Sequence, residues 1–420
     1  MSDQERNIVA TGLALPSGLS RRVFLQLAGA AGVSLAMTPA VSRMAEAAEI
    51  VRGKIANQVS TPANDYWAVW TRAFDEAAKA LGLETQELFH QNDTARQLAQ
   101  VRSLPASQAK MLIGCVEPAG SLPTVARFCQ ENQIFYVPSW ESPAWFTPPD
   151  IGDYYVSFVT PNSIEGAYEV AKALFESIGG EGKVVHIAGM ATPTDTYRTL
   201  GLMQAAKEYP GIQIVGGLRA NWDREQARKV MLSMVTAHPD MKAVFAQNDN
   251  MALGVLSVLR ERKLTSVKVS GVDGLPEGLK EVAKGEQMVA THTSLPPYGA
   301  GFTTVLAFDA LNGWKPTLGE RLLFTGSALA TAENAAKIEA AIYGKDSKPF
   351  DWPLMSRALN PETWDPQNKI TAIDPDTYWG PFPDGKDRLN PIYKGAAERG
   401  EFSKVDALYA AHYKSGPVKA

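Results

Sequence analysis

Two segments near the middle of the chain read Ala243-Val244-Phe245-Ala246-Gln247-Asn248-Asp249 and Val269-Ser270-Gly271-Val272-Asp273-Gly274. Each begins with a short, mostly apolar run of the kind that forms a buried strand, and each ends in polar residues. Residues 251–262 between them show the apolar spacing of a helix, and this order of elements predicts a parallel sheet. Such sheets bind ligands at the carboxyl ends of their strands, and Asn248 and Asp273 stand at the ends of these two runs.

The same alternation of strands and helices extends outward over most of the chain. The predicted strands lie at residues 54–59, 110–116, 134–138, 184–188, 212–218, 243–246, 267–272 and 288–293. The predicted helices between them include residues 65–81, 163–178, 224–237, 251–262 and 276–284. This order predicts an α/β fold built from doubly wound parallel sheets, which carry helices on both faces.

The composition changes after about Lys345, where Trp, Pro, Asp and Lys become frequent and no clear periodicity remains. The segments Asp351-Trp352-Pro353, Thr363-Trp364-Asp365-Pro366 and Tyr378-Trp379-Gly380-Pro381-Phe382-Pro383 are typical of this region. Disordered tails are poor in aromatic residues. Residues 345–420 are therefore expected to form an ordered, loop-rich extension wrapped on the body, with a final helix at residues 404–413.

The beginning of the chain has the pattern of an export signal. Ser20-Arg21-Arg22 precedes a mostly apolar run from Val23 to Pro39, and the small residues of Ala45-Glu46-Ala47 follow. This order is typical of a twin-arginine signal peptide, so we predict that residues 1–47 are removed after Ala47 outside the cytoplasm. The alternative is an ordinary apolar helix preceded by two basic residues. No cysteine lies near the predicted cut, which argues against a lipid anchor.

The composition excludes several classes of partner. The chain has 420 residues and a net charge of -4, and it contains no basic stripe of the kind that binds nucleic acid or anionic membranes. Its length allows two domains. No segment after the predicted signal is apolar enough to span a bilayer.

The two cysteines are expected to remain apart. Cys115 falls late in a predicted strand and Cys129 late in the helix that follows, and the chain doubles back between such elements. Two buried thiols are therefore expected, although export would permit a disulfide. The five histidines are scattered and none has metal-ligand spacing, so no metal site is predicted.

The sequence lacks the short motifs of common catalytic sites. It contains no nucleophile elbow, zinc-binding helix motif, P-loop or dinucleotide-binding glycine pattern. We therefore predict a protein that is not an enzyme and that has no cofactor. A redox enzyme remains an alternative, because twin-arginine export often carries cofactor-loaded enzymes.

One block of residues identifies a family. Ala237-His238-Pro239-Asp240, the segment 243–249, Met251-Ala252-Leu253-Gly254 and the segment 269–274 follow one another in order. This block closely resembles the ribose-binding family of bacterial periplasmic sugar-binding proteins, which serve ABC importers, and the resemblance runs from about Lys54 to about Leu329. It implies a type I periplasmic-binding fold with two similar α/β domains, three hinge strands and a ligand cleft. Residues 48–160 with about 295–320 would form the N-terminal lobe. Residues 161–294 with about 321–344 would form the C-terminal lobe.

The resemblance also implies ligand-binding residues, one position at a time. Those that match the family are Asn64, Tyr66, Trp67, Arg198, Trp222, Asn248 and Asp273. Each has a structural alternative. Asn64 and Asn248 could cap helices, although Asp249 could serve as the second cap. Tyr66 and Trp67 could be staple aromatics of the first of these helices. Arg198 could be a solvated helix charge, Trp222 could pack in the core, and Asp273 could be a turn residue before Gly274.

Other positions depart from the family pattern. Ser139 and Trp140 stand where ribose binders have an Asp-Arg pair, with Glu141 next. Ser294 aligns with a family Gln, and Glu117 stands near a family Asn. Because half of the polar set has changed, the resemblance implies a sugar or polyol other than ribose.

The resemblance predicts a monomeric periplasmic substrate-binding component of an ABC importer, whose partners would be a membrane permease and its ATPase. The alternative is a periplasmic sensor of the same fold that presents its ligand to a membrane receptor or kinase.

Overall fold

The computed structural model describes residues 49–418. The predicted signal peptide, residues 1–47, lies outside the described residues. Across residues 49–418 no helix has both the length and the apolar character needed to cross a membrane.

The first lobe contains a parallel sheet of strand order β2-β1-β3-β4. Its strands are β1 (Lys54–Val59), β2 (Glu84–Phe89), β3 (Ala109–Gly114) and β4 (Phe135–Pro138). Its helices are α1 (Asp65–Ala80), α2 (Thr94–Arg102) and α3 (Leu122–Glu131), joined later in the chain by α9 (Pro296–Leu311). α1 buries Trp70, Phe74 and Ala77 at the three- and four-residue spacing of one helix face, and α9 packs against α1 and β3.

The second lobe contains a sheet of order β12-β10-β9-β8-β6-β7, in which only β12 runs antiparallel to its neighbour. Its strands are β6 (Glu181–Ala188), β7 (Gly211–Arg219), β8 (Met241–Ala246), β9 (Lys268–Asp273), β10 (Met288–Thr293) and β12 (Ala328–Thr331). Its helices are α4 (Ser163–Glu176), α5 (Pro193–Glu208), α6 (Arg224–Ala237), α7 (Asp249–Glu261), α8 (Pro276–Ala283) and α10 (Ala335–Tyr343).

A third, smaller sheet lies where the chain passes between the lobes. Its order is β13-β11-β5, made of β5 (Phe158–Pro161), β11 (Leu322–Thr325) and β13 (Ile370–Ala372). β5 runs parallel to β11, and isolated bridges join Tyr136 to Tyr155 and Ser139 to Val159 beside β4. The chain crosses between the lobes after β5, after β10 and after β11. The molecule therefore has the predicted type I periplasmic-binding fold, and its three crossings form the hinge.

The segment after α10 is ordered and wraps around both lobes. It contains α11 (Trp352–Met355), β13, α12 (Pro375–Trp379) and α13 (Glu401–His412). β13 pairs antiparallel with β11 and so adds a strand to the hinge sheet. The predicted final helix exists and begins three residues earlier than expected, at Glu401.

Aromatic residues of this extension join the two lobes near the hinge. We call the group formed by Trp145, Tyr197, Phe324, Tyr378, Trp379 and Phe382 the bridging cluster. Trp379 Nε1 donates to the Tyr197 hydroxyl of α5 at 3.1 Å, and Trp145 Nε1 of the first lobe donates to the Phe382 carbonyl at 2.8 Å. The extension is thus bonded to both lobes at once.

The cysteine prediction is confirmed, because Cys115 and Cys129 are both free and buried. Within residues 49–418, no group of three or more His, Cys, Asp and Glu side chains is placed to hold a metal ion.

Candidate ligand-binding site

A cavity of about 720 Å³ lies between the lobes, at the carboxyl ends of their parallel strands. All of the predicted site residues except Ser139 and Ser294 line it. The cavity is large enough for a small molecule, since ligand pockets typically span about 300–1,000 Å³. Its remaining lining residues are Ser60, Thr61, Ala63, Asp65, Asn92, Cys115, Glu141, Met190, Thr194, Asn221, Asp223, Arg224, Gln226 and Asn250.

The start of α1 supplies the wall of the first lobe. Asn64 caps this helix, because its Oδ1 accepts from the backbone N–H of Tyr66 at 2.9 Å and of Trp67 at 3.4 Å. Asn64 also lines the cavity, so it caps the helix and borders the candidate site at once. The rings of Tyr66 and Trp67 meet edge to face at 5.0 Å, which presents apolar surface beside polar groups.

Arg198 and Asp273 form a buried ion pair on the second lobe. Arg198 Nη2 lies 3.0 Å from Asp273 Oδ1, and their side chains are 4% and 5% exposed. The alternative of a solvated helix charge is therefore wrong for Arg198. Burial raises the pKa of Asp273 to about 6, although the charge of Arg198 opposes the rise. A carboxylate accepts hydrogen bonds and a guanidinium donates them, so the two side by side can bind adjacent donors and acceptors of one small ligand.

Two indole rings hold the Arg198 guanidinium between them. Trp140 of the first lobe and Trp222 of the second each lie 5.4 Å from its central carbon, measured to the ring centroid. Trp140 Nε1 also donates to the Tyr66 hydroxyl at 2.9 Å. Both tryptophans have positive φ, +69° and +63°, a backbone region that is costly for bulky residues and is frequent at binding sites.

Asn248 serves as a helix cap and also lines the cavity. Its Oδ1 accepts from the Met251 backbone N–H at 2.9 Å and so caps the start of α7. Its side chain also forms a hydrogen bond with Asp273. Asp249 does not cap this helix; it accepts from Thr291 and from the Leu275 N–H instead. The preceding Gln247 positions Arg198, because its carbonyl accepts from Nη1 of that guanidinium.

Glu117 and Glu141 line the inner part of the cavity. They follow β3 and β4, which are neighbours in the first sheet, and both are buried. Burial raises the pKa of Glu117 to about 8, and the charge of Glu141 adds to the rise. Burial raises the pKa of Glu141 to about 7, while bonds to Thr194 and Thr192 of the second lobe oppose the rise. Glu141 therefore connects the lobes across the cleft.

Ser139 and Ser294 lie behind the cavity and not on its surface. The Ser139 backbone N–H donates to the Gly114 carbonyl at 2.8 Å, which continues the sheet between β3 and β4. The Ser294 hydroxyl lies 3.4 Å from the Asp273 carbonyl and also beside the Tyr66 hydroxyl. In this arrangement both serines support neighbours that line the cavity.

The sequence prediction missed several lining residues for which a signal existed. Thr194 lies four residues before Arg198 on α5, a spacing that places both on one helix face. Glu141 directly follows Trp140, and Asn250 lies two residues after Asn248. Asp65 and Arg224 could not be paired from the sequence, since they approach each other only across the cleft mouth, with 3.5 Å between Oδ2 and Nη2.

Comparison with known proteins agrees with this architecture. A family model described as periplasmic binding protein domain matches residues 55–314. The ribose import binding protein RbsB of Salmonella typhimurium is 30% identical over 283 residues, which cover 67% of this chain and 93% of that protein. The chain belongs to the ribose-binding family of periplasmic binding proteins. Its relatives there are substrate-binding transport proteins of ABC importers that bind sugars and polyols.

Other proteins similar to this chain include the following relatives and solved structures. The xylitol-binding protein of Mycolicibacterium smegmatis is 29% identical over 215 residues, 50% of this chain and 59% of that protein. An ABC transporter solute binding protein of Mycobacterium smegmatis with bound glycerol has 28% identity and a TM-score of 0.61, and the match covers 69% of this chain and 96% of that chain. A periplasmic solute binding protein of Actinobacillus succinogenes with bound D-allose, 24% identical, shows the same fold with a TM-score of 0.63 over 68% of this chain and 99% of that one.

Proposed function

We propose that this chain is the periplasmic substrate-binding component of an ABC importer and that it reversibly binds a monosaccharide or polyol other than ribose. The observation that carries the proposal is the interlobe cavity, in which the Arg198–Asp273 pair faces the rings of Tyr66, Trp67 and Trp140. The ligand would be handed to a membrane permease driven by its ATPase.

The chemistry of this cavity suits a polyhydroxylated ligand. Hydroxyl groups can donate to Asp273 and accept from Arg198 and the Asn248 and Asn64 amides, while aromatic rings cover the apolar C–H faces. Enclosure between two lobes makes each polar contact count, because a buried hydroxyl without a partner is costly. The same enclosure lowers the affinity for ligands whose hydroxyl groups do not match these polar side chains.

The proposal includes export by the twin-arginine route with cleavage after Ala47, and a monomeric binding protein in the periplasm. The supporting observation is the sequence pattern of residues 1–47. The lobe boundaries given above are part of the same proposal.

The test is a thermal-unfolding screen of residues 48–420, freed of carried-over ligand, against pentoses, hexoses, deoxy sugars, amino sugars and polyols. A ligand at a hundredfold excess over its dissociation constant stabilises the folded state by about 2.7 kcal/mol. We expect a clear rise in melting temperature with one stereochemical class and a smaller rise with ribose. No rise with any member of the panel would contradict a sugar- or polyol-binding role.

A further inference from the structure

Two carboxyl groups in the cavity have unsatisfied oxygens. Glu117 Oε2 and Glu141 Oε2 have no hydrogen-bond partner among residues 49–418, although both side chains are more than nine-tenths buried. They reach the same place because each follows the carboxyl end of a strand, and these strands, β3 and β4, are adjacent and in register from Met111 with Phe135 to Gly114 with Pro138. A buried carboxyl oxygen without a partner is costly, so a bound group is expected to complete it.

In the part of the chain that the structure describes, no cationic side chain forms an ion pair with either acid. Arg198 is the cationic side chain that acts on Glu141, and its guanidinium is already bonded to Asp273 and to the Gln247 carbonyl. Thr192 and Thr194 of the second lobe bond to Glu141, and the buried Cys115 thiol lies close to both acids. Within residues 49–418 neither acid takes part in an ion pair with Lys, Arg or His at 4.0 Å or less.

We propose, building on the proposed function, that the ligand is a polyhydroxylated compound carrying a protonated amine, and that its ammonium group binds between Glu117 and Glu141. An ammonium group has three N–H donors and no acceptor, which suits two carboxylates and the neighbouring Thr194 hydroxyl. A neutral hydroxyl offers a single donor and leaves one carboxyl oxygen without a partner. The Tyr66 and Trp140 rings, 5.5 Å apart, line the same cavity, and aromatic faces attract a cation.

Electrostatics support this arrangement. Burial raises the pKa of Glu117 to about 8 and that of Glu141 to about 7, and the negative charge of Glu141 contributes to the Glu117 value. The groups that face them are Arg198, Thr192, Thr194, the Tyr197 and Tyr378 hydroxyls and the Cys115 thiol, whose own pKa is raised by burial. A bound ammonium stabilises both charged carboxylates. For an amine that stays protonated over this range, binding near pH 7.5 therefore releases protons, and affinity rises from pH 6 to pH 8.

The experiment is isothermal titration calorimetry at pH 8 on residues 48–420 with matched ligand sets. Each set holds a neutral sugar or polyol, its amino-deoxy analogue and the N-acetylated form of that analogue, which keeps the nitrogen but loses the charge. We expect at least one amino-deoxy compound to bind 10-fold or more tightly than both of its partners. The double variant Glu117→Gln/Glu141→Gln is expected to lose this preference, so that its affinities for the amino-deoxy compound and for the N-acetylated form become similar.

Glu87→Gln is the matched control. Glu87 is also a carboxyl group with a pKa raised by burial to about 8, but it lies on β2, bonds to Asn57 at 2.9 Å, and does not line the cavity. Its substitution is expected to leave the amine preference unchanged. If the double variant fails to fold, the native chain provides the same test. Titration of the amine at pH 7.5 in buffers of different ionisation enthalpy then measures the proton release that accompanies binding.

The outcomes separate this inference from the proposed function. Equal or weaker binding of every amino compound, or amine binding without proton release, overturns the inference while neutral binding upholds a sugar- or polyol-binding role. A chain that binds no member of any set overturns both.

Discussion

At the scale of single residues, Arg198 organises the second-lobe wall of the cavity. The Gln247 carbonyl, the Asp273 carboxylate and two indole rings hold its guanidinium, so little side-chain freedom remains to be lost when a ligand arrives. Removing one partner of such a buried pair typically costs about 3–5 kcal/mol, because the remaining charge is left without compensation. Asp273 pairs with Arg198, and under the proposed function it is expected to bind the ligand as well.

Asp273→Asn tests the expected binding of the ligand with little change in shape. We expect the variant to fold and to bind its ligand roughly 10- to 100-fold more weakly, because hydrogen bonds to a charged group contribute about 1.5–3 kcal/mol. Calorimetric titration measures the loss. Asp240→Asn is the control, since Asp240 pairs with Lys183 at an exposed turn at 2.8 Å and does not line the cavity. An affinity within twofold of the native value would remove Asp273 from the site.

The buried acids also predict how the stability of the ligand-free protein depends on pH. Burial raises the pKa of Glu117, Glu87 and Asp249 to about 8 and that of Glu141 to about 7. A carboxyl with a raised pKa binds its proton more tightly in the folded chain than in the unfolded chain. Its stabilising effect is complete below the ordinary pKa of about 4 and is lost as the pH rises through the folded value.

Two buried histidines make the stability depend on pH in the opposite sense to the buried acids, and they do so at lower pH. Burial lowers the pKa of His90 and His186 to about 4, so their effect on stability is complete above about pH 6.5. Between pH 6.5 and 8 the acids therefore dominate, and the free energy of unfolding is expected to fall by about 1 kcal/mol or more. Thermal unfolding at constant ionic strength measures this slope. The double variant Glu117→Gln/Glu141→Gln should reduce this dependence of stability on pH. An unchanged dependence would mean that groups other than Glu117 and Glu141 titrate in this range.

At the scale of elements, the sequence predicts the positions of strands and helices well where their apolar pattern is strong. β1, β8 and β9 lie close to their predicted positions because their residues are buried on both faces. β2 has no such signal, since Glu84–Phe89 is an edge strand with polar, partly exposed residues. β13 is three residues long and depends on pairing with β11, which lies 45 or more residues earlier in the chain. No local pattern can reveal that pairing.

The candidate site shows the same division between local and distant information. Asn64, Asn248 and Asp273 stand at element ends, where local rules and the family pattern coincide. The burial of Arg198 depends on Trp140 and Trp222, which come from different lobes. Ser139 and Ser294 align with ligand positions of the family, yet neither lines the cavity. Alignment locates a backbone position, and the sizes of the surrounding side chains determine what reaches the ligand.

Substitution of Trp379, on α12, tests how much the bridging cluster stabilises the folded protein. Trp379→Ala is expected to lower the free energy of unfolding by about 3–5 kcal/mol, because the ring is 1% exposed and packs against Trp145. Trp379→Phe keeps most of the ring but loses the bond to the Tyr197 hydroxyl, for a smaller cost of about 1 kcal/mol. Chemical denaturation of both variants, with Tyr197→Phe to complete a double-mutant cycle, measures the coupling. A coupling of zero would show that the hydrogen bond contributes nothing.

At the scale of the whole molecule, the extension is part of the folded body and not an appendage. Trp352, Met355, Trp364 and Tyr409 belong to the core that contains α1 and α9. The side chains of Tyr378, Trp379, Tyr393 and Phe402 belong to the core around β3 and α3. The first lobe therefore depends on residues that follow Gly344, and the bridging cluster bonds the same segment to Tyr197 of the second lobe.

A chain that ends at Gly344 is expected to lose cooperative unfolding and to expose apolar surface, because the faces beneath the extension would contact water. Calorimetry and dye binding measure this outcome. The control is the full chain cut by a protease at a site introduced between Lys345 and Lys348, where the severed extension should stay bound. A truncated chain with a normal melting transition would contradict the role given to the extension.

The position of β13 has a consequence for how the polypeptide is made. During translation β11 emerges before β13, and the face of α9 that receives Trp352 is complete well before Trp352 is synthesised. The nascent chain therefore passes through a stage at which both lobes exist, while one edge of the hinge sheet is unpaired and an apolar helix face is uncovered. Such surfaces favour aggregation and chaperone binding. The long sequence separation of the closing contacts also predicts that the last step of folding is slow and occurs after synthesis has passed β13.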